Sequence, residues 1–233
     1  MKINFASLLC GAQKAKGVAV IIDVFRAFTC TPLLFSFGVK KLILVETPEE
    51  ALWLKKQNEA LVLIGEVSGL PIEGFDFGNS PSQILKSGSD IFKGKTVVQR
   101  TSSGVQGVIA ALSVAEEVLL GSYNLAKATA RYIIAKQPKE VNLVAMGWDL
   151  KEIAPEDEWC ARYIAHHLAA AEYNHLQALR EIIFHQTTQK FMQGHSFHFH
   201  PEDPILCLQP DIYDFVLRAE RRPNEMVVKK ICF

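Results

Sequence analysis

The clearest hydrophobic pattern lies early in the chain, where Gly17 opens an uninterrupted apolar run, VAVII, over residues 18–22. A short apolar run rich in β-branched residues predicts a strand that is buried on both faces. The run ends at Asp23, and Arg26 follows three residues later. Because ligands bind at the carboxyl ends of strands in open α/β sheets, the stretch suits a metal and an anion. An aspartate helix cap beside a solvated arginine is the alternative interpretation.

Similar apolar runs recur along the chain. Further strands are predicted at the start of the chain and at KKLILVET, ALVLIGE, KTVVQ, VLL and EVNLVAMG, with ILCLQ and the tail DFVLRAERRPNEMVVKKICF as C-terminal strands. Helices are predicted at 27–37, 48–58 and 176–193, after the turn RTSSG, and at the segment PEDEWCARYI. The turn-rich segment 68–88 predicts a long loop, and its aromatic residues favour a functional one.

Alternation of strands and helices at this spacing predicts a layered α/β fold. We expect a largely parallel sheet built from repeated strand-turn-helix units, with a C-terminal antiparallel hairpin or edge strands. Gly17 and Gly94 each open a strand that is followed by a polar turn and an apolar helix. This repetition indicates an internal duplication, with chance similarity as the alternative. The predicted domain is one compact unit, 1–233, with two closely packed related halves at about 1–90 and 91–233.

Charge and cysteine content restrict the classes of partner. The chain has 25 basic and 25 acidic residues, so its net charge is zero. This balance argues against broad electrostatic binding to nucleic acid or to an anionic membrane, and no apolar run approaches the length of a membrane span. The five cysteines are scattered without a CxxC pair, which predicts reduced thiols and a cytoplasmic location. The oligomeric state is left open, with a homo-oligomer as one outcome.

Polar residues follow the predicted strands at corresponding places. We expect the strands at 18–22, 97–99 and 142–145 to be parallel, with their carboxyl ends lining one cleft. The strand that Gly94 opens is followed by a turn that presents backbone N–H groups to an anion, and Arg100 adds a forked donor. The turn contains Arg100, Thr101, Ser102, Ser103 and Gly104. Four carboxylates suit a hard cation such as Mg²⁺; they are Asp23, Glu66, Asp76 and Asp157. The alternatives are that RTSSG is only a helix N-cap and that the acidic segment 156–158 is only the first turn of a helix.

Other motifs are absent or incomplete. The chain has no GxGxxG and no GxSxG sequence, and GKT at 94–96 precedes a strand, whereas a P-loop follows one. His195, His198 and His200 suggest a metal site, and alternation places His198 and His200 on one strand face. A clear third ligand is missing, which favours a loop near the active site. His166 and His167 lie in an apolar helix and are interpreted as structural.

An ordered set of motifs resembles the 2-phosphosulfolactate phosphatase family over nearly the whole chain. The set is IDVFRAFT, GE at 65–66, GFDFGNSPSQ, RTSSG, GSYNLAKA, PEDEWCARYI and CLQPDIYDF, in that order. The resemblance implies an α/β Mg²⁺-dependent phosphatase that acts on a small, highly anionic phosphate ester. In some organisms that step belongs to coenzyme M synthesis.

We therefore predict a Mg²⁺-dependent phosphomonoesterase for 2-phosphosulfolactate or a related 2-phospho acid. The expected catalytic residues are Asp23, Arg26, Arg100 and Ser102. Substrate contacts are expected from Asn79, Ser80, Thr101, Ser103 and Gly104, and metal contacts from Asp23, Glu66, Asp76 and Asp157. Asp23 could act as nucleophile or as metal ligand. The rival hypotheses are a non-catalytic binder of a small phosphorylated metabolite and a Mg²⁺ hydrolase acting on nucleotides.

Overall fold

A computed structural model describes residues 1–193 and 198–233. Within these residues ten strands form one mixed sheet; they are β1 (Lys2–Ser7), β2 (Val18–Ile22), β3 (Lys41–Leu44), β4 (Val62–Val67), β5 (Leu70–Pro71), β6 (Thr96–Arg100), β7 (Glu117–Gly121), β8 (Glu140–Ala145), β9 (Phe215–Arg222) and β10 (Glu225–Cys232). The predicted α/β class with a largely parallel sheet is confirmed.

Helices cover the sheet between the strands. They are α1 (Leu8–Ala12), α2 (Ala27–Ser36), α3 (Pro48–Gln57), α4 (Pro81–Ser87), α5 (Gly104–Ala111), α6 (Ala126–Lys136), α7 (Pro155–Ala169), α8 (His175–Ile183), α9 (Gln186–Met192) and α10 (Glu202–Cys207). In the described part of the chain, no helix is long and apolar enough to cross a membrane.

The sheet order is β1-β8-β2-β7-β9-β10-β3-β6-β4-β5. One parallel group contains β1, β8, β2 and β7, and the other contains β3, β6 and β4. The hairpin β9–β10 pairs antiparallel with β7 on one side and with β3 on the other. The predicted hairpin is therefore present, and it joins the two groups at the centre of the sheet.

Two strand-turn-helix-strand units connect the two groups of parallel strands, one leading from the first group to the second and the other leading back. The first unit starts at β2 and delivers β3 to the other group, and the second starts at β6 and delivers β7 back. The two sequence halves thus interleave their strands in one sheet. The internal duplication and the domain division stay predictions.

The ladder polarity corrects one expectation. We expected β2, β6 and β8 to be parallel, but three antiparallel pairings lie between β2 and β6. Five pairings separate these two strands. A twist of about 20–25° at each pairing accumulates to about 100–125°. Opposite ladder polarity therefore does not by itself place the two carboxyl ends at opposite edges of the sheet. The residues after β2 and β6 do lie together, as the hydrogen bond from the Gly104 amide to Asp23 at 2.8 Å shows.

Two C-terminal expectations were wrong. The segment ILCLQ lies mostly in α10 rather than in a strand, because Pro201 and the acidic residues after it start a helix. The helix predicted over 176–193 breaks into α8 and α9, where His185 accepts the amide of Thr187 and caps the second helix.

Candidate active site

Asp23 takes its position from the most enclosed strand of the sheet. All five residues of β2 are buried, and the strand pairs with β7 on one side and β8 on the other. Asp23 is 6% exposed, and its two carboxylate oxygens accept the amides of Ala27 at 3.3 Å and Gly104 at 2.8 Å. These amides begin α2 and α5, so two helix N-termini converge on one carboxylate. Asp23 thus accepts the first amides of two helices, as the helix-cap alternative predicted, and it also lies at the predicted site.

Glu66, near the end of β4, approaches the same turn from the other group of strands. Its Oε1 accepts the Ser102 amide at 2.6 Å, and its Oε2 accepts the Gly69 amide at 2.6 Å and the Ser102 hydroxyl at 3.1 Å. We expected the amides of residues 102–104 to bind a substrate anion. Instead, the Ser102 and Gly104 amides donate to two protein carboxylates, so they are engaged before a ligand arrives.

Asp157 lies in the first turn of α7 and is 3% exposed. Its oxygens accept the amides of Val24 at 2.7 Å and Gly147 at 2.8 Å, so it connects the segments that follow β2 and β8. Asp157 does not line the cavity beside Asp23. These two hydrogen bonds hold the ends of β2 and β8 together beside the site. The predicted role of Asp157 as a metal ligand stays untested.

Burial raises the pKa of three carboxyl groups at the site. The pKa of Asp23 rises from 3.8 to about 7, first because of burial and second because of the charge of Glu66. The pKa of Glu156 rises from 4.5 to about 7, again mainly through burial. Burial, followed by the charges of Glu156 and Asp23, raises the pKa of Asp157 well above its ordinary value. Without a cation, this cluster therefore favours bound protons near neutral pH.

Arg26 is buried at 6% exposure, which excludes the solvated-arginine interpretation. Its Nη1 donates to the Asp203 carboxylate at 2.9 Å and to the His198 carbonyl at 3.1 Å, and its Nη2 donates to the Gly69 carbonyl at 3.2 Å. Arg26 also lines the cavity that Asp23 lines. Arg26 is thus a fixed cation at the cavity wall.

A small polar cavity of about 30 Å³ brings these groups together. Six predicted site residues line it: Asp23, Arg26, Glu66, Asn79, Ser102 and Ser103. Gly147 and Trp148, which follow β8, line it too, so the expectation that the ends of β2, β6 and β8 share one cleft is confirmed.

The polar side chains on the wall differ in how firmly they are held. Asn79 is 1% exposed, and its amide donates to the Arg100 carbonyl at 3.4 Å and accepts from Gln99 at 3.3 Å. The Ser103 hydroxyl accepts the Leu150 amide at 3.3 Å. These contacts hold the wall at the ends of β6 and β8.

Two predicted residues point elsewhere. Asp76 does not line the cavity, because its carboxylate pairs with Lys55 at 3.0 Å and accepts the Leu63 amide at 2.7 Å. The Arg100 guanidinium donates to the backbone carbonyl of Glu66 at 2.5 Å and is absent from the cavity wall. Arg100 therefore holds the Glu66 segment, while its predicted catalytic role stays untested.

Ser80 and Thr101 serve as local caps. The Ser80 hydroxyl accepts the Gln83 amide at 3.3 Å at the start of α4, and the Thr101 hydroxyl accepts the Val105 amide at 2.9 Å at the start of α5. Neither residue lines the cavity. Thr101 thus supports the first turn of α5, although the N-cap residue of that helix is Ser103, whose side chain makes no capping hydrogen bond.

Several residues of the cavity wall were not predicted from the sequence; they are Phe25, Ser68, Gly69, Trp148 and Asp149. Asp149 adds a third carboxylate, which accepts the Ser68 hydroxyl at 3.2 Å and pairs with Lys151 at 3.0 Å. Trp148 and Asp149 come shortly after β8, so applying the strand-end rule to that strand would have found them.

The five histidines considered above as metal-binding or structural residues belong to two segments of the chain, 195–200 and 166–167. His195 lies outside the described residues, while the carbonyl of His198 contacts Arg26, so its segment borders the site as expected. Within the described residues, no group of three His, Cys, Asp or Glu side chains is arranged to hold a metal by itself. On α7, His166 contacts the Ala171 carbonyl at 2.7 Å and His167 lies 3.5 Å from Asp211, which agrees with structural roles.

Comparison with known proteins adds a family to this geometry. A family model described as 2-phosphosulpholactate phosphatase matches residues 6–222. A Bacillus subtilis protein named probable 2-phosphosulfolactate phosphatase is 28% identical over 217 residues, 92% of each chain. Proteins of the same name from Deinococcus radiodurans and Caldicellulosiruptor saccharolyticus are 36% and 40% identical over 66% and 62% of this chain. Those two matches span 62% and 60% of the relatives' own lengths. The chain belongs to the 2-phosphosulpholactate phosphatase family.

Proposed function

We propose that this protein is a Mg²⁺-dependent phosphatase that hydrolyses a small, highly anionic phosphate monoester, 2-phosphosulfolactate or a related 2-phospho acid. One observation carries the proposal most strongly. The buried carboxylate of Asp23 shares a small cavity with Glu66 and with the cationic Arg26. The family and the names of the relatives in three bacteria supply the substrate class.

The donor set of the cavity fits Mg²⁺. This ion is usually held by one or two carboxylates, with water and substrate phosphate completing its six ligands. Within the described residues, both oxygens of Asp23 and Oε1 of Glu66 accept one hydrogen bond each, so each retains acceptor capacity toward a cation. Asp23 and Glu66 would hold the ion, which would neutralise phosphoryl charge and orient a water. Asp76 is excluded from this proposed set because it pairs with Lys55.

Side chains of the protein would bind and orient the substrate. Arg26 would bind the phosphoryl oxygens as a fixed cation, and its buried position strengthens that attraction relative to water. Asn79 and the hydroxyl groups of Ser102 and Ser103 line the cavity and would orient the ester. Asp157 would keep the ends of β2 and β8 in register, which keeps Asp23 aimed at the cavity.

The non-catalytic binder is less well supported. It would rely on the turn amides for the anion, but the Ser102 and Gly104 amides donate to carboxylates. It would also leave Asp23, Glu66 and Asp149 facing an anionic ligand without a cation between them. Such an arrangement repels a phosphate ester.

The test is phosphate release from a panel of small phosphate esters that includes 2-phosphosulfolactate, phospholactate and a nucleoside monophosphate. We expect release from the 2-phospho acids, loss of release with EDTA, and recovery when Mg²⁺ is restored. Release that EDTA leaves unchanged would contradict the metal dependence. Tight ester binding without release from any member of the panel would favour the binder.

A further inference from the structure

Asp203 is a completely buried carboxylate at the start of α10, with 0% exposure. Its Oδ1 accepts the Ser80 hydroxyl at 2.9 Å, the Ser82 amide at 3.0 Å and the Ser82 hydroxyl at 2.6 Å. Its Oδ2 accepts Nη1 of Arg26 at 2.9 Å. One carboxylate therefore links α10, the N-terminus of α4 and the arginine on the cavity wall.

The hydrogen bonds of Arg26 leave part of its guanidinium available to a ligand. Three of its five N–H groups donate to Asp203, His198 and Gly69 in the described part of the chain, which leaves two for a ligand. The guanidinium also lies 5.2 Å and 5.6 Å from the ring centres of Phe191 and Phe199. Its plane is thus held from several sides, with Asp203 as the charged partner.

We propose that Asp203 is a positioning residue that aims the remaining donors of Arg26 at the phosphoryl group of the substrate. The proposal rests on the proposed phosphatase function and adds a residue to it. Asp203 itself does not line the cavity, whereas Arg26 does, so its effect must pass through the arginine. The hydroxyls of Ser80 and Ser82 hold Asp203 in turn and tie its orientation to α4.

The physical reason is competition for the guanidinium. A buried arginine needs a carboxylate partner, and the cavity offers it Asp23 and Glu66. Pairing with Asp203 satisfies Arg26 without using either of these proposed metal ligands. Without Asp203, the arginine would turn toward the cavity carboxylates, and both the anion site and the metal site would be weakened.

The test is a double-mutant cycle with two readouts. Asp203→Asn keeps the shape and an acceptor for the serines, but its amide group removes the charge that pairs with Arg26. Steady-state kinetics with 2-phosphosulfolactate give kcat and KM, and calorimetric titration with inorganic phosphate in the presence of Mg²⁺ gives affinity without turnover. Both are measured in the wild type, in Asp203→Asn, in Arg26→Ala and in the double variant.

We expect KM and the Kd for phosphate to rise about 10- to 100-fold in Asp203→Asn, as for other partners that orient a ligand-binding group. The same change in an Arg26→Ala background should add nothing, because Asp203 then has no arginine to orient. Asp211→Asn is the control, since Asp211 likewise accepts a backbone amide and a hydroxyl, from Lys127 and Tyr163, and does not line the cavity. It should leave both constants unchanged.

A wild-type KM and phosphate Kd in Asp203→Asn would overturn the proposal, as would an equal loss in the Arg26→Ala background. If Asp203→Asn does not fold, Ser82→Ala loosens Asp203 without unpairing the arginine and should raise KM in the same direction, again only when Arg26 is present. No phosphate release by the wild type would defeat the proposed function alone, because phosphate affinity still tests Asp203. A wild type that neither releases nor binds phosphate would defeat both.

Discussion

At the scale of single residues, Asp23 balances opposing influences on its charge. Burial and the charge of Glu66 favour the protonated form, whereas the amides of Gly104 and Ala27 and the charge of Arg26 favour the carboxylate. Burial has the largest effect, so the pKa rises to about 7. A cation in the cavity would favour the ionised form, and metal binding should therefore release a proton near neutral pH.

The raised pKa values predict that the metal-free protein is less stable at alkaline pH. Asp23 and Glu156 have ordinary values of 3.8 and 4.5 and folded-state values of about 7. Between these values the folded state keeps protons that the unfolded state has released, so stability falls as pH rises from about 4 to about 7. Urea unfolding in EDTA should give a lower free energy of unfolding at about pH 8 than at about pH 5.

Two comparisons check the origin of this effect. Asp23→Asn cannot ionise, so it should show a smaller difference between the two pH values than the wild type. Glu117 and Glu220 have lowered pKa values, and their contribution changes mainly below about pH 5, outside this window. Equal stability of the metal-free wild type at both pH values would contradict the raised pKa values.

At the scale of elements, the junction between β6 and α5 sets the approach of two groups of strands. A Cβ atom at Gly104 would lie 2.6 Å from Oδ2 of Asp23 and 2.9 Å from Cζ of Phe28. Both distances are shorter than van der Waals contact, and Asp23 and Phe28 are buried. The missing side chain at this position therefore allows the carboxylate to reach the helix N-terminus.

Gly104→Ala should displace Asp23 and lower both stability and activity. Overpacking of a buried position costs about 1–3 kcal/mol, which urea unfolding can measure. Gly78→Ala is the control, because a Cβ there would lie 3.8 Å from its nearest neighbours, Gln83 and Pro71. A Gly104→Ala protein with wild-type stability and phosphate release would show that the close contact is unimportant.

Most elements were predictable because they depend on local patterns. Apart from ILCLQ, the apolar runs gave the strands with errors of up to three residues at their ends, and the strand-end rule brought Asp23, Arg26, Glu66, Ser102 and Ser103 to one cavity. The direction of side chains was not predictable in this way. Arg100 ends a strand and Asp76 lies in the predicted long loop, but the Glu66 carbonyl and Lys55 take up their charged groups.

At the scale of the whole molecule, the C-terminal hairpin is central rather than peripheral. Strands β9 and β10 lie between β7 and β3, the inner strands of the two parallel groups. The amphipathic pattern of the tail predicted a hairpin, but its partners lie about 100 and 180 residues away along the chain. Such distant pairings depend on three-dimensional packing, and a local sequence pattern does not specify them.

Removal of residues 215–233 should therefore unfold the protein rather than trim it. The lost strands contribute four buried apolar side chains from β9, Phe215, Val216, Leu217 and Ala219. Three large side chains of this kind, at about 1.5–3 kcal/mol each, match much of a typical stability of about 5–15 kcal/mol. Circular dichroism should show loss of cooperative melting, while removal of the half-exposed Phe233 alone should preserve it. A cooperative melt of the truncated chain would show that the two groups of strands pair without the hairpin.

The most direct test of the central claim is the Mg²⁺ dependence of phosphate release in Asp23→Asn, with Asp76→Asn as its control. Asp23 lines the cavity and Asp76 does not, although both were predicted as metal ligands. We expect no Mg²⁺-dependent release of phosphate from 2-phosphosulfolactate, and weakened Mg²⁺ binding by calorimetry, in Asp23→Asn alone. Phosphate release and Mg²⁺ affinity equal to the wild type in Asp23→Asn would contradict the account.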